Sequence, residues 1–234
     1  MTWAQCGEDL VIQRLLDYAE VPIDSEYLTW IDVGANHPKE LSNTYLFYER
    51  GFLVHVLIPI FEIRSLGGLL EQARPKDILY DSPVGEDGTL VNFYYYEPNV
   101  YSTASDQRHN ELVSKCYPSF ERKEVIECIA LKSLTTGSFL NSKTGQKKSY
   151  FLSIDVESYE YSVIKSVDFV DNRPLIIVCE ISGLTAAGSI FATPTHQLLM
   201  KEEYRLKAVI DSNFFYVDCT RPPFHTSRNL PFNL

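Results

Sequence analysis

The feature that most constrains this chain is an apolar run that ends in a polar turn. Residues 27–36 read Tyr-Leu-Thr-Trp-Ile-Asp-Val-Gly-Ala-Asn, so the run closes on an Asp-x-Gly-x-Asn pattern. A near-continuous apolar run is typical of a parallel strand that is covered on both faces. The glycine permits a tight turn in which the backbone approaches a ligand closely. We therefore expect a buried parallel strand that leads into a ligand-binding turn.

Helix and strand patterns alternate after this run. A helical pattern over 41–50 stops at Gly51, an apolar strand follows at 52–58, a helix is expected around 62–72, and a short strand lies at 78–81. Parallel strands in such an order need right-handed crossovers, which place helices on both faces of the sheet. The pattern predicts an α/β fold.

The second half of the chain continues the sheet and closes it. Its predicted elements are strands at 89–96, 124–130, 150–155 and 175–180, a helix at 159–167, a surface connection at 136–149, and an antiparallel pair at 205–210 and 214–218. At the amino end, the segment 1–26 carries an amphipathic helix at 8–18 that packs on the core. With no linker or repeat in the sequence, we expect one domain over residues 1–234.

Charge and cysteine content exclude several classes of function. The 21 Lys and Arg residues face 31 Asp and Glu residues, a net charge of −10, which disfavours binding to nucleic acid phosphates. Five scattered cysteines without a Cys-x-x-Cys pair indicate neither a disulfide framework nor a zinc site. No apolar stretch is long enough for a membrane span. We expect a cytoplasmic protein of undetermined oligomeric state.

Acidic and polar residues stand at the ends of several predicted strands. Asp32 closes the first strand, Asp155 with Glu157 closes a later one, and Glu180 closes the next. A single carboxylate in such a place is most simply a helix cap or a turn former. In open α/β sheets, however, ligands bind beyond the carboxyl ends of the strands. Several carboxylates at one edge repel one another unless a cation, a metal or a proton offsets their charge.

Taken in order, the motifs of this chain resemble those of the FkbM-type family of S-adenosylmethionine-dependent methyltransferases. The resemblance extends over nearly the whole sequence. It is carried by residues 5–9 (Gln-x-Gly-Glu-Asp), 32–38 (Asp-Val-Gly-Ala-Asn-His-Pro), 42–49 (Ser-Asn-Thr-Tyr-Leu-Phe-Tyr-Glu), 84–89 (Val-Gly-x-Asp-Gly-Thr), 151–157 (Phe-Leu-Ser-Ile-Asp-Val-Glu), 173–180 and 213–218.

The resemblance implies a fold, a cofactor and a reaction. The fold is a Rossmann-like class I methyltransferase sheet, mostly parallel with an antiparallel C-terminal strand. The reaction moves a methyl group from S-adenosylmethionine to a hydroxyl group of a carbohydrate or glycan acceptor. Asp32, Gly34 and Asn36 would hold the methionine part of the cofactor, and Asp81 and Ser82 would face its adenine.

The same carboxylates supply the expected catalytic groups. We expect Asp155 to lie nearest the acceptor hydroxyl, with Glu180 and His37 assisting, since each of these side chains can accept a proton. His37 is equally compatible with a hydrogen-bonding or turn-forming role. Asp155, Glu157 and Glu180 offer oxygen ligands for Mg²⁺ or Mn²⁺, and a metal-free version of the site is the alternative.

Two positions depart from the family pattern. Ile58 stands where the family commonly has a glutamate that binds the ribose hydroxyls, and Ser158 stands where it favours glycine. If position 158 needs a positive φ, serine there is strained by roughly 1 kcal/mol. Both departures favour an alternative, a binding module that kept the fold and lost efficient use of the cofactor. A nicotinamide-dependent dehydrogenase is disfavoured, because the first turn lacks the glycine-rich dinucleotide fingerprint.

Overall fold

A computed structural model of the protein describes most of the chain. The described residues are 1–18, 20–21, 27–52, 54–57, 68–116, 118–134, 148–181, 187–220, 222 and 224, and the side chains of 187–189 are not described.

Among the described residues, nine strands form two sheets. They are β1 (Leu28–Val33), β2 (Val54–Leu57), β3 (Ile78–Tyr80), β4 (Leu90–Glu97), β5 (Ser119–Glu127), β6 (Ser149–Ile154), β7 (Ile176–Glu180), β8 (Tyr204–Ile210) and β9 (Asn213–Asp218).

The main sheet has seven strands in the order β3-β2-β1-β6-β7-β9-β8. Strands β3, β2, β1, β6 and β7 are parallel, and β9 runs antiparallel between β7 and β8. The predicted α/β sheet, mostly parallel with an antiparallel strand near its end, is confirmed. The strand order reverses between β1 and β6, and a crevice at the carboxyl ends of the strands is expected at such a point.

In the part of the chain that the structure describes, seven α-helices accompany the sheets. They are α1 (Glu8–Tyr18), α2 (Tyr45–Glu49), α3 (Gly68–Ala73), α4 (Asp106–Lys115), α5 (Leu131–Leu134), α6 (Glu160–Lys165) and α7 (Pro194–Lys201), with 3₁₀ turns at Asn99–Tyr101 and Ala187–Ala192.

Helices cover both faces of the main sheet, as the parallel pattern predicts. On one face, side chains of α1, α2 and α3 pack with Trp30, whose ring stacks on Phe47 at 3.8 Å and on Phe151 at 4.2 Å. On the other face, α5, α6 and α7 pack against Leu152 and Ile177. Burying each such side chain stabilises the fold by roughly 1.5–3 kcal/mol, so the central strands are held rigidly between two apolar layers.

The small sheet was only partly predicted. Strands β4 and β5 pair antiparallel and stand apart from the main sheet, and α4 connects them. The expected strand at 124–130 in fact begins at Ser119 and ends at Glu127, and α4 lies in a stretch for which the sequence predicted no helix. The strand was hidden because β5 is largely exposed, so its residues 119–123 lack the apolar signal of a core strand.

The helix expected at 41–50 is shorter than predicted. It covers only α2, because Leu41 has a φ of +59° and the Ser42 hydroxyl accepts hydrogen bonds from the amides of Thr44 and Tyr45. Gly51 has a φ of +89°, as expected of a residue that ends a helix. Most of the helix expected at 62–72, and most of the connection at 136–149, lie outside the described residues.

Within the described ranges, no helix combines the length and the apolar character that a membrane crossing needs.

Candidate active site

A cavity opens at the carboxyl ends of β1, β2 and β6. It encloses about 670 Å³ including its open mouth. Strand β4 of the small sheet and the segment that follows this strand form another wall of the cavity. The cavity is lined by Val33, Gly34, Asn36, Leu57, Ser82, Pro83, Val84, Phe93, Asn99, Val100, Ser102, Ala104, Asp155, Val156, Glu157 and Tyr159.

Gly34 sets the closest approach of two cavity walls. Its φ is +86°, and a Cβ atom at this position would lie 1.7 Å from the carbonyl oxygen of Asp155. The Gly34 amide donates a hydrogen bond to the carbonyl of Leu57 at 3.1 Å. Only glycine satisfies both the dihedral angle and the space, so this residue brings the turn after β1 against the end of β6.

Asp155 follows β6 and opens into the cavity. Asp155 is exposed at the protein surface toward the cavity. The surrounding protein nevertheless removes water from the carboxyl group, and this desolvation raises the pKa of Asp155 well above its usual range. The nearby carboxylate of Glu180, which shares a hydrogen bond with Asp155, raises the Asp155 pKa further. A carboxyl group with such a pKa exchanges a proton closer to neutral pH than an ordinary aspartate does.

Glu180 is the last residue of β7 and lies close to Asp155. One of its oxygens accepts a hydrogen bond from the Ser212 hydroxyl at 2.9 Å. Glu180 is not among the residues that line the cavity. The structure therefore brings the two predicted catalytic carboxyls together, with Asp155 facing the cavity and Glu180 supporting it.

Glu157 lines the cavity but is engaged elsewhere. Its Oε2 accepts hydrogen bonds from Nε of Arg108 at 3.0 Å and from Nη2 at 2.8 Å. Among the described residues, no group of three or more His, Cys, Asp or Glu side chains is arranged to hold a metal ion. The expected metal site of Asp155, Glu157 and Glu180 is therefore not formed, because the charge of Glu157 is neutralised by an arginine that the sequence pattern did not reveal.

The turn after Asp155 is strained. Glu157 and Ser158 have φ values of +50° and +72°, in the left-handed region that favours glycine. Contacts on both sides hold it: the Thr103 hydroxyl donates to the Glu157 carbonyl at 2.6 Å, and the Ser158 amide donates to Glu160 at 2.8 Å. Burial raises the pKa of Glu160 to about 7. Ser158 thus adopts a positive φ, which is the condition under which serine at this position is strained.

Asp32 lies inside β1 and not in the cavity lining. It is buried, and its carboxylate accepts a hydrogen bond from the Thr44 hydroxyl at 2.7 Å. Burial raises the pKa of Asp32, although the Thr44 hydrogen bond and the charge of Arg74 act in the opposite direction. The carboxylate of Asp32 thus contacts a neighbouring element, and its expected role in holding the cofactor, directly or through water, stays a prediction.

The other predicted cofactor residues divide into two groups. Asn36 lines the cavity and donates to Asn99 Oδ1 at 3.4 Å, and Ser82 also lines it. Asp81 is exposed and lies outside the lining, although its carbonyl accepts a hydrogen bond from the Ser82 hydroxyl at 2.6 Å. Ile58, the expected ribose-side departure, lies outside the described residues.

The comparison with protein families decides what this fold and cavity belong to. The family described as Methyltransferase FkbM domain matches residues 32–206, well over half of the chain. The protein belongs to the FkbM methyltransferase domain family. The matched region contains the turn at Gly34, the small sheet and the carboxyl pair of Asp155 and Glu180. Searches among curated proteins and solved structures found no match.

In this FkbM methyltransferase, His37 stabilises a turn. Its Nδ1 accepts hydrogen bonds from the amides of Lys39 at 3.3 Å and Glu40 at 2.8 Å, which places the ring proton on Nε2. His37 is not among the residues that line the cavity. Of the interpretations left open by the sequence, the geometry fits the turn-forming one.

Sequence reasoning missed the whole wall that the small sheet supplies. Phe93, Asn99, Ser102 and Ala104 come from β4 and the segment after it, and Arg108 comes from α4. One signal for α4 was available: Ser105 precedes Asp106 and caps the helix by accepting from the Arg108 amide at 3.2 Å. No sequence pattern indicated that this helix faces Glu157.

We predict that Ser158→Gly stabilises the protein. Removing the Cβ atom relieves a left-handed conformation that disfavours other residues by roughly 1 kcal/mol. Urea denaturation measures the change in the free energy of unfolding. Ser158→Ala is the matched control, since it removes the hydroxyl but keeps the Cβ, and it is expected to give no comparable gain. Equal stabilities of the glycine variant and the wild type would show that the turn is not strained.

The raised pKa of Asp155 predicts a pH-dependent stability. The folded protein binds this proton more tightly than the unfolded chain, so the Asp155 contribution to the free energy of unfolding falls as pH rises from about 4, the unfolded value, through the folded pKa. Asp155→Asn removes that contribution. The variant should gain stability relative to the wild type as pH rises in denaturation series. A difference independent of pH would contradict the shift.

Proposed function

We propose that this FkbM methyltransferase is an S-adenosylmethionine-dependent O-methyltransferase that acts on a hydroxyl group of a sugar or glycan. One observation carries the proposal: Asp155, a carboxyl group with a raised pKa, opens into the cavity beside the turn at Gly34. Such a group is suited to accept the proton of a hydroxyl that becomes methylated.

The cavity fits the chemistry of this cofactor. Apolar side chains of Val33, Leu57 and Val84 suit an adenosine group, and the ionised carboxylate of Asp155 suits a cation. When bound, S-adenosylmethionine supplies a methyl group on a positively charged sulfur. Gly34 and Asn36 are the residues that we assign to its methionine part, with Ser82 assigned to its adenine side. Asp32 acts through the elements it contacts.

Asp155 is the proposed general base. With S-adenosylmethionine held by Gly34, Asn36 and Ser82, its methyl group would pass to the acceptor oxygen and its sulfur would leave as a neutral thioether. The Asp155 carboxylate would accept the hydroxyl proton. Glu180 keeps Asp155 oriented through their shared hydrogen bond. Because the base must be ionised, turnover should rise with pH through the raised pKa of Asp155.

The cavity wall formed by β4 and the segment after it supports a carbohydrate acceptor. Phe93 offers an aromatic surface, and Asn99 and Ser102 offer hydrogen-bonding groups at the same wall. Sugar rings combine an apolar face with hydroxyl groups, so a wall that mixes an aromatic ring with amide and hydroxyl groups suits them. Arg108 is paired with Glu157, which leaves its charge already compensated.

A reducing compartment is the proposed location. Cys6 and Cys116 are exposed and free, and free exposed thiols are typical of the cytoplasm.

The first test of the proposed function is binding of S-adenosylhomocysteine, measured by calorimetry. The wild type should bind it, and Ser82→Phe should weaken binding at least tenfold by filling part of the cavity. Ser114→Phe, a change on the exposed side of α4, is the matched control and should leave affinity unchanged. A folded wild type that gives no heat at millimolar ligand would favour the binding module over the enzyme.

The second test concerns turnover. Asp155→Asn keeps the shape of the side chain and removes its ability to accept the hydroxyl proton, so turnover should fall roughly 10²-fold or more, the usual contribution of a positioned base. Affinity for S-adenosylhomocysteine should stay within a few-fold. Release of S-adenosylhomocysteine with a panel of methyl glycosides measures the rate. Wild-type turnover of this variant on an accepted glycoside would move the base to another residue.

A further inference from the structure

A buried polar network lies behind the cavity wall and is not explained by the proposed chemistry. Arg74 and Asp77 form its charged pair, with Nε and Oδ2 2.5 Å apart and with side chains 1% and 0% exposed. Burying two charges is costly, and a buried ion pair contributes little net stability over an apolar pair of the same size. A role in addition to stability therefore has to be sought in what the pair contacts.

The Thr44 hydroxyl links this pair to β1. It accepts a hydrogen bond from Nη1 of Arg74 at 3.1 Å and donates one to Oδ2 of Asp32 at 2.7 Å. Thr44 is fully buried and precedes α2. One hydroxyl thus joins a buried cation to a buried anion, which offsets the cost of burying the Asp32 carboxylate.

The network also contacts the end of the turn at residues 34–38, which we call the cofactor turn. Nη1 of Arg74 lies 3.5 Å from the carbonyl oxygen of Pro38, and Asp32 stands two residues before Gly34. The network therefore contacts the chain on both sides of the segment that holds Gly34 and Asn36, two residues of the cavity lining. Asp77 adds a tie to β2, because its Oδ1 accepts from the Val54 amide at 3.1 Å.

A second buried ion pair provides a comparison within the same molecule. Arg173 donates to both carboxylate oxygens of Asp218, at 3.0 and 3.1 Å, and Asp218 is fully buried. Asp218 is the last residue of β9 and lies beside the amino end of β7. The Arg173–Asp218 pair is therefore at the amino ends of the parallel strands, whereas the cavity is at their carboxyl ends. It has the chemistry of the first pair without the contacts to the cofactor turn.

We propose that Thr44 and Arg74 are positioning residues for the cofactor: through Asp32 and Pro38 they hold the turn at 34–38 in the conformation that binds S-adenosylmethionine. This inference rests on the proposed function. Neither residue lines the cavity, so their effect on binding is indirect and acts through the backbone at Gly34 and the side chain of Asn36.

The test measures affinity for S-adenosylhomocysteine and melting temperature in the same set of variants. Thr44→Val keeps the shape of the side chain but removes the hydroxyl, and we expect about a tenfold loss of affinity, the scale of a hydrogen bond to a charged group. Thr44→Ser restores the hydroxyl and should recover most of the affinity. Arg74→Lys keeps the charge but loses the paired donors, and we expect a similar loss.

Arg173→Lys separates positioning from general stability. It should lower the melting temperature in the way that Arg74→Lys does, while affinity stays within about twofold of the wild type. Wild-type affinity in folded Thr44→Val and Arg74→Lys, or an equal loss of affinity in Arg173→Lys, would overturn the inference with the proposed function intact. If Thr44→Val fails to fold, Arg74→Lys decides the question. A wild type that does not bind S-adenosylhomocysteine would instead overturn the proposed function and the inference with it.

Discussion

The close contact between the turn after β1 and the end of β6 determines the geometry of the whole site. Where other residues carry a side chain, Gly34 has none, and the Asp155 carbonyl occupies that space. This contact forms where the strand order reverses, between two strands that are buried on both faces and joined in register from Leu28 to Val33. A rigid sheet thus places a flexible residue and a carboxyl group side by side, and the cavity follows from that placement.

Several groups at the cavity lower the free energy of unfolding. Burial raises the pKa of Asp155, Glu157 and Glu160, so ionising these groups opposes folding as pH rises. The strained backbone at Glu157 and Ser158 adds to this cost. Hydrogen bonds from Thr103 and Arg108 hold the turn in place. Groups that oppose folding are therefore concentrated at the cavity.

The sequence predicted what depends on local pattern. Apolar runs revealed β1, β6 and β7, because strands buried on both faces carry an unbroken apolar signal. Because Asp155 and Glu180 stand at the carboxyl ends of two predicted strands, the sequence also predicted that they lie close together. The small sheet was predicted only in part. Its strand β5 begins earlier than expected, because residues 119–123 are mainly exposed and lack an apolar pattern.

Pairing across long sequence distances was not predictable from pattern. The partner of Glu157 is Arg108, 49 residues away, and the partner of Asp32 is Thr44, reached only once α2 packs beside β1. The local sequence around a carboxylate at a strand end does not show whether that carboxylate faces a cavity, an arginine or a threonine. The positions of the carboxylates at strand ends therefore predicted where the site lies, while the role of each carboxylate depends on tertiary contacts.

As the proposed general base, Asp155 holds its proton more strongly than an ordinary aspartate, and the positive charge of S-adenosylmethionine bound in the same cavity should favour the ionised form of Asp155. Proton release on binding tests this directly, since S-adenosylmethionine carries a cationic sulfur and S-adenosylhomocysteine does not. Calorimetry at pH 7 in buffers of different ionisation enthalpy measures the protons released. Proton release should be greater with S-adenosylmethionine than with S-adenosylhomocysteine, and this difference should be lost in Asp155→Asn. Equal release with both ligands in the wild type would contradict it.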